Sequence, residues 1–294
     1  MSAFGDRLRA AARLLSALLT LGLAAPVAAE PAVWVIKDAD TTLYVFGSLH
    51  ALKPGVEWRS ARFDHAFEES SEVVFEAVVP EDPRSLAPII QALGLDPAGS
   101  LSAKLPPDAR VRLAAAAQAY GLPPAGLERM RPWLAATTLG ATPMLRAGWD
   151  PRKGPDLVLQ AEAKAKGKTV LGLETAEQQA RFLADLPEPR QVEALVATLQ
   201  GLDGFVSRVE EVQAAWLNGD QAQLAALGAP SRASRDEVFD KIIRVDRNRA
   251  WAAWIKARLD RPGTAMIIVG AGHLFGKDSL GDVLAEQGIA IQRY

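Results

Sequence analysis

Thr41-Thr42-Leu43-Tyr44-Val45-Phe46-Gly47-Ser48-Leu49-His50 and Ala265-Met266-Ile267-Ile268-Val269-Gly270-Ala271-Gly272-His273 repeat one local design. Each begins as an apolar run of the kind buried on both faces of a helix-covered sheet, and each ends in glycine, two residues, histidine. Glycine admits backbone conformations that other residues resist and lets neighbouring groups come close. The histidine then projects beyond the carboxyl end of its strand, where open α/β sheets assemble their sites. His50 and His273 can converge only if the two strands are neighbours.

Working outward, Ala32 to Lys37 is a second β-rich run, separated from Thr41 by the turn signal Asp38-Ala39-Asp40, and the pair reads as a hairpin. Glu72-Val73-Val74-Phe75 is a short apolar strand ending in Glu76, and Lys168 to Leu173 is another ending in Glu174. Ile289 to Gln292 reads as a closing strand. Between them the pattern is helical: 106–120, 131–142 with Pro143 near its end, 156–166 with Asp156 as a cap, a helix opened by Thr175 with Gln178 three residues on, 189–217 with Gly201 and Gly204 as interruptions, 235–259, and 280–287. The expected fold is α/β: a mixed β-sheet core covered by helices, with a long helical insertion over about 81–260 that a strand near 168–173 interrupts.

Composition excludes several classes. The 294 residues contain no cysteine, so a disulfide framework, a thiolate zinc site and a cysteine nucleophile are out. With 33 basic and 35 acidic side chains the net charge is −2, unlike the basic face of a nucleic-acid binder. Residues 1–29 read as an export signal. Arg7, Arg9 and Arg13 precede the apolar run Leu14 to Ala25, and Val27-Ala28-Ala29 is a small-residue cleavage site. The run is too short to span a membrane, which takes about 20 residues, so a periplasmic or secreted product with no membrane span is expected, one α/β domain over 30–294.

Only three histidines exist, so each can be judged by its place. His65 follows Arg62-Phe63-Asp64 on a helix and reads as surface. His50 and His273 share a context, and Glu76 and Glu174 add carboxylates to the same rim. Two neutral imidazoles and a carboxylate are a donor set for a first-row metal with an open position for water. The plainer readings are a cap for Asp156, a helix-entry carboxylate for Glu174, and a solvated arginine for Arg247 beside Asn248 on a helix whose tryptophans belong to the core.

The chain resembles the TraB/GumN family, whose relatives include the Tiki metalloproteases and the ChaN and erythromycin-esterase groups. The matching stretches are Pro31 to Trp34, Gly47-Ser48-Leu49-His50, Glu76, Arg131-Pro132-Trp133, Gly154-Pro155-Asp156, Gly172-Leu173-Glu174-Thr175, Arg247-Asn248 and Val269-Gly270-Ala271-Gly272-His273. They run in order over nearly the whole chain after residue 29. The resemblance implies a fold of two similar halves and a site made by both G-x-x-H motifs. Carried over from Tiki-like members, it implies a divalent metal (manganese, cobalt or zinc) on His50, Glu76 and His273, with Arg247 and Asn248 as support and a peptide or protein substrate.

Two functions are therefore expected in competition. One is an exported metal-dependent hydrolase acting on peptide bonds. There Glu174 or Asp156 accepts a proton from water and Arg247 or Asn248 stabilises the oxyanion. The other is a non-catalytic periplasmic binding protein that uses the same rim for haem, a small ligand or an envelope partner.

Overall fold

The computed structural model describes residues 30–97, 99–228 and 237–294. The expected export signal, 1–29, lies outside the described residues. Strands β1 (Val33–Lys37) and β2 (Thr41–Ser48) form the expected hairpin, antiparallel from Val33 opposite Phe46 to Lys37 opposite Thr42. Asp38 closes the turn, its Oδ1 accepting the N–H groups of Asp40 at 3.1 Å and Thr41 at 2.8 Å. Helix α1 (Ala61–Glu69), capped by the Ser60 side chain, leads to β3 (Glu72–Ala77). The chain then passes through α2 (Ala87–Gly94), α3 (Pro107–Ala119), α4 (Pro124–Glu128), α5 (Pro132–Arg146) and α6 (Pro155–Ala165) before β4 (Thr169–Glu174). After β4 come α7 (Ala176–Ala184), α8 (Glu188–Gly201), α9 (Phe205–Leu217), α10 (Gln221–Gly228), α11 (Glu237–Asp240) and α12 (Asp246–Leu259). Strand β5 (Gly263–Gly270), helix α13 (Leu280–Glu286) and strand β6 (Gln292–Arg293) close the chain.

The sheet is mixed, as expected, in the order β4-β3-β5-β2-β1-β6. Strands β4, β3, β5 and β2 run parallel, and β1 is reversed. The late strand β5 is inserted between the two early strands β2 and β3. Its register against β2 runs from Thr41 opposite Gly263 to Ser48 opposite Gly270, so both G-x-x-H segments leave the sheet side by side. That pairing is the condition the sequence imposed on any shared histidine site.

Burial explains why these runs are strands. Phe46, Val73, Met266 and Ile268 face one helix layer together with Phe63, Phe67 and Trp216. Leu43, Val45, Ile267 and Val269 face the other, with Trp251, Ile255 and Leu284. A fully buried side chain of this size contributes roughly 1.5–3 kcal/mol relative to exposure, which sets the β2–β5 register firmly. The helical insertion has a separate core in which Leu113, Leu139 and Leu195 meet.

Several boundaries differ from the sequence reading. The expected helix over 189–217 is two, because Gly204 takes φ 78° between α8 and α9, a left-handed conformation that suits glycine. Pro143 stands inside α5, which continues to Arg146. The expected helix over 235–259 contains a π turn, Lys241–Val245, directly before Asp246-Arg247-Asn248. The closing strand shrinks to two residues, pairing Arg293 with Trp34 and Gln292 with Val35. Thr175 and Gln178 do form the expected capping box. Among the described residues no helix is long and apolar enough to cross a membrane.

Candidate functional site

The carboxyl ends of β2, β3, β4 and β5 bring His50, Glu76, Glu174 and His273 to one rim, and α12 lays Arg247 and Asn248 across it. Arg247 is 9 % exposed, not solvated as an arginine on such a helix usually is. The π turn before α12 is the kind of local insertion that redirects neighbouring side chains, and it is common at functional sites.

Arg247 is the hub. Its Nε and Nη2 donate to Glu174 Oε1 and Oε2, each at 2.9 Å. Nη2 also donates to Glu76 Oε2 at 2.6 Å, and Nη1 donates to the Ile243 carbonyl at 3.1 Å and faces His273 Nε2 at 3.1 Å. A guanidinium has five N–H donors, and these five contacts use them all. The side chain lies over Trp251, 4.7 Å from the ring centre, and Phe182, 5.5 Å away. Burial works against its charge, but the hydrogen bonds and charges of Glu174 and Glu76 outweigh it, and its pKa is raised. Glu174 also accepts from Trp251 Nε1 at 2.9 Å and Gln179 Nε2 at 3.2 Å.

Asn248 sets the state of His273. Its Nδ2 donates to the carbonyls of Asp278 at 2.9 Å and His273 at 3.4 Å, which leaves Oδ1 facing His273 Nδ1 at 2.7 Å. The Nδ1 atom must therefore carry the ring proton, and the single lone pair on Nε2 points at Arg247. Burial, reinforced by the Arg247 charge, pushes His273 down to about 4 despite the opposing pull of Glu76. The ring is neutral at pH 7 and packs 4.4 Å from the Trp251 ring centre.

His50 is the opposite case. Its side chain is 68 % exposed, and its Nδ1 lies 3.2 Å from Asp156 Oδ2. Behind it, Ser48 Oγ donates to Asp156 Oδ1 at 2.7 Å. The Asp156 hydrogen bond and charge lift His50 to about 9. Burial works against the Asp156 carboxylate, but the bond to His50 outweighs it and its pKa is lowered. Asp156 is thus no cap: Gly154 stands at the start of α6 without a side-chain bond, and the carboxylate turns to His50 instead.

Backbone contacts make this pairing. Leu52 N–H donates to the Asp150 carbonyl at 3.3 Å and Asp150 N–H to the Leu52 carbonyl at 3.0 Å, tying the segment after His50 to the one before α6. A Cβ on Gly154 would fall 2.5 Å from the His50 carbonyl oxygen, so only glycine passes there. Gly270 serves a similar purpose. A Cβ there would lie 3.0 Å from Glu76 Oε1 and 3.2 Å from His50 Nε2. Its φ of −55° is ordinary, so this glycine provides close approach rather than an unusual conformation. Its N–H donates to Glu76 Oε1 at 2.5 Å. Burial pushes Glu76 up, but Arg247, the two histidines and this N–H together hold its pKa below the usual carboxylate range.

The residues as arranged do not fit the expected divalent metal. Among the described residues no group of three or more His, Asp or Glu side chains is set to hold one. The Nε2 lone pair of His273, the only one its ring has, already accepts from Arg247. Nor do Arg247 and Asn248 have a free side-chain donor for an oxyanion. They hold Glu76, Glu174 and His273 in place. Ser48, Gln179, Trp251 and the Asp278 carbonyl complete the network without having been singled out in the sequence. Ser48, inside the first G-x-x-H segment, was the one with a visible signal. His65 is on the surface, 59 % exposed beside Glu69.

This mixed-sheet rim, with two neighbouring strands each delivering a G-x-x-H histidine to a buried arginine–carboxylate cluster, defines a two-histidine α/β protein. A model described as the TraB/PrgY/gumN family matches residues 32–293, and the chain belongs to that family. It is 25 % identical over 254 residues to a protein of Escherichia coli (strain K12) named Uncharacterized protein YbaP, covering 86 % of this chain and 92 % of that one. To the protein of the same name in Shigella flexneri it is 30 % identical over 167 residues, 57 % of this chain and 61 % of that one. No solved structure matches it.

Proposed function

We propose that the chain is an exported hydrolase whose proton-transfer group is His50. The observation that carries this reading is the line Ser48–Asp156–His50, which ends in an exposed ring whose Nε2, like Glu76 Oε1, borders the bare α-carbon of Gly270. Environments that push two titratable groups apart mark acid and base roles. His50 is held protonated and can give its proton to a leaving group, and Asp156 then stabilises the ring orientation. Glu76, ionised and fixed by Gly270 and Arg247, accepts a proton from the attacking water. His273, Glu174, Arg247 and Asn248 are positioning residues in this scheme.

Peptide bonds are the first substrate class to test, because the resembled Tiki-like proteins cleave them. The experiment is digestion of a peptide library by EDTA-treated protein, alone and with manganese, cobalt or zinc supplied. Wild type, His50→Ala and the surface control His65→Ala are compared. Loss of an acid–base group costs about 10²–10⁴ in rate, so His50→Ala is expected to lose nearly all cleavage and His65→Ala none. Equal turnover by His50→Ala, or saturable binding of haem or a small ligand with no cleavage by wild type, overturns the proposal. Export is read separately, as loss of residues 1–29 in the mass of protein recovered from the periplasm.

A further inference from the structure

In the expected metal site, the positive charge belongs to an ion held by His50, Glu76 and His273. Here it belongs to the protein. Arg247 Nη1 faces the one lone pair that His273 Nε2 has, and Asn248 and the Asp278 carbonyl fix the tautomer so that this lone pair can point nowhere else. The Nη2 group joins Glu76 to Glu174 by bonds of 2.6 Å and 2.9 Å, with all three side chains about nine-tenths buried. A divalent ion on His273 would have to displace that N–H and stand beside a fully engaged guanidinium, against like charge in a poorly solvated place.

We propose that Arg247 is the resident cation of this rim, a positioning residue that caps His273 Nε2 and bridges Glu76 to Glu174, so that His273 holds no divalent metal while Arg247 is present. Removing the guanidinium leaves two carboxylates and an imidazole nitrogen facing one vacated volume, which is an N/O donor set for zinc. The inference deepens the proposed function by making its site metal-free, and metal uptake is measured apart from turnover.

The test uses full-length mature protein labelled with ¹⁵N, stripped with EDTA and titrated with zinc. The ring nitrogens of its three histidines are assigned by single His→Gln variants. In wild type the His273 Nε2 signal is expected to stay in place and zinc recovered after desalting to be well below one per chain. In Arg247→Ala, zinc uptake is expected to rise to about one per chain with a shift of His273 Nε2, and the Arg247→Ala/His273→Ala double variant to lose it. A shift of His273 Nε2 in wild type with one zinc retained overturns the inference, whatever the activity. So does a folded Arg247→Ala, judged by near-ultraviolet circular dichroism, that takes up no zinc. If Arg247→Ala does not fold, the wild-type titration still decides. Wild type that cleaves nothing, with or without metal supplied, sinks the hydrolase and leaves the role of Arg247 standing.

Discussion

Asp156 Oδ2 and His50 Nδ1 lie 3.2 Å apart although 106 positions separate them in the chain. The contact exists because the Leu52–Asp150 bridge and the bare backbone of Gly154 bring the start of α6 against the end of β2. It turns a helix-entry aspartate into the partner of the most exposed titratable group on the rim.

Replacing Asp156 should change His50 before it changes the fold. In Asp156→Asn the negative charge that strengthens the bond and lifts His50 to about 9 is lost, so its pKa falls toward the ordinary 6.5. The cleavage rate should fall by about 10²–10⁴. A histidine proton-resonance titration beside the digestion assay reads both.

Arg247 should be costly to remove. Arg247→Ala leaves Glu76 and Glu174 buried without their shared cation, and breaking such a pair from one side typically costs about 3–5 kcal/mol. Adding Glu174→Gln should recover part of that loss. Urea unfolding of the three proteins checks the order.

Gly154→Ala should damage the site more selectively. Its new Cβ meets the His50 backbone, and overpacking of this kind costs about 1–3 kcal/mol. The shift should also pull His50 away from Asp156 and lower turnover further than Gly167→Ala, a left-handed glycine before the amino end of β4. Thermal melts and initial rates separate the two effects.

Alkaline stability should depend on Tyr44. Burial first, and then the 2.7 Å hydrogen bond to Glu69, raise its phenol well above the ordinary value near 10. The folded protein keeps this proton where the unfolded chain releases it. The contribution is therefore intact below about pH 10 and lost above it, at roughly 1.4 kcal/mol per pH unit. Unfolding free energies at pH 9 and 11 should differ by less in Tyr44→Phe than in wild type.

Local chemistry made much of this protein legible in its sequence. Apolar runs ending in G-x-x-H, Glu76 and Glu174 marked the strands and their carboxyl ends; burial on both faces demands such runs in β2, β3 and β5, while β4 is a partly exposed edge. The Thr175 box was equally plain, because its two bonds span only three residues. Arg247 was named, but its surroundings were not. A helical pattern with Trp251 and Trp254 says which face is core, yet not which carboxylates from other strands will meet an arginine at its margin.

What the sequence by itself determined is most of the strands, the longer helices and the seven polar residues at the strand and helix ends, because propensity, burial and capping act over a few residues. Tertiary structure alone decided that β5 slips between β2 and β3, that Asp156 partners His50 instead of capping a helix, and that Arg247 spends every donor on Glu76, Glu174, His273 and Ile243. Those choices depend on strand register and on which distant backbones touch. A lone pair or a donor is free or engaged only after that packing is complete.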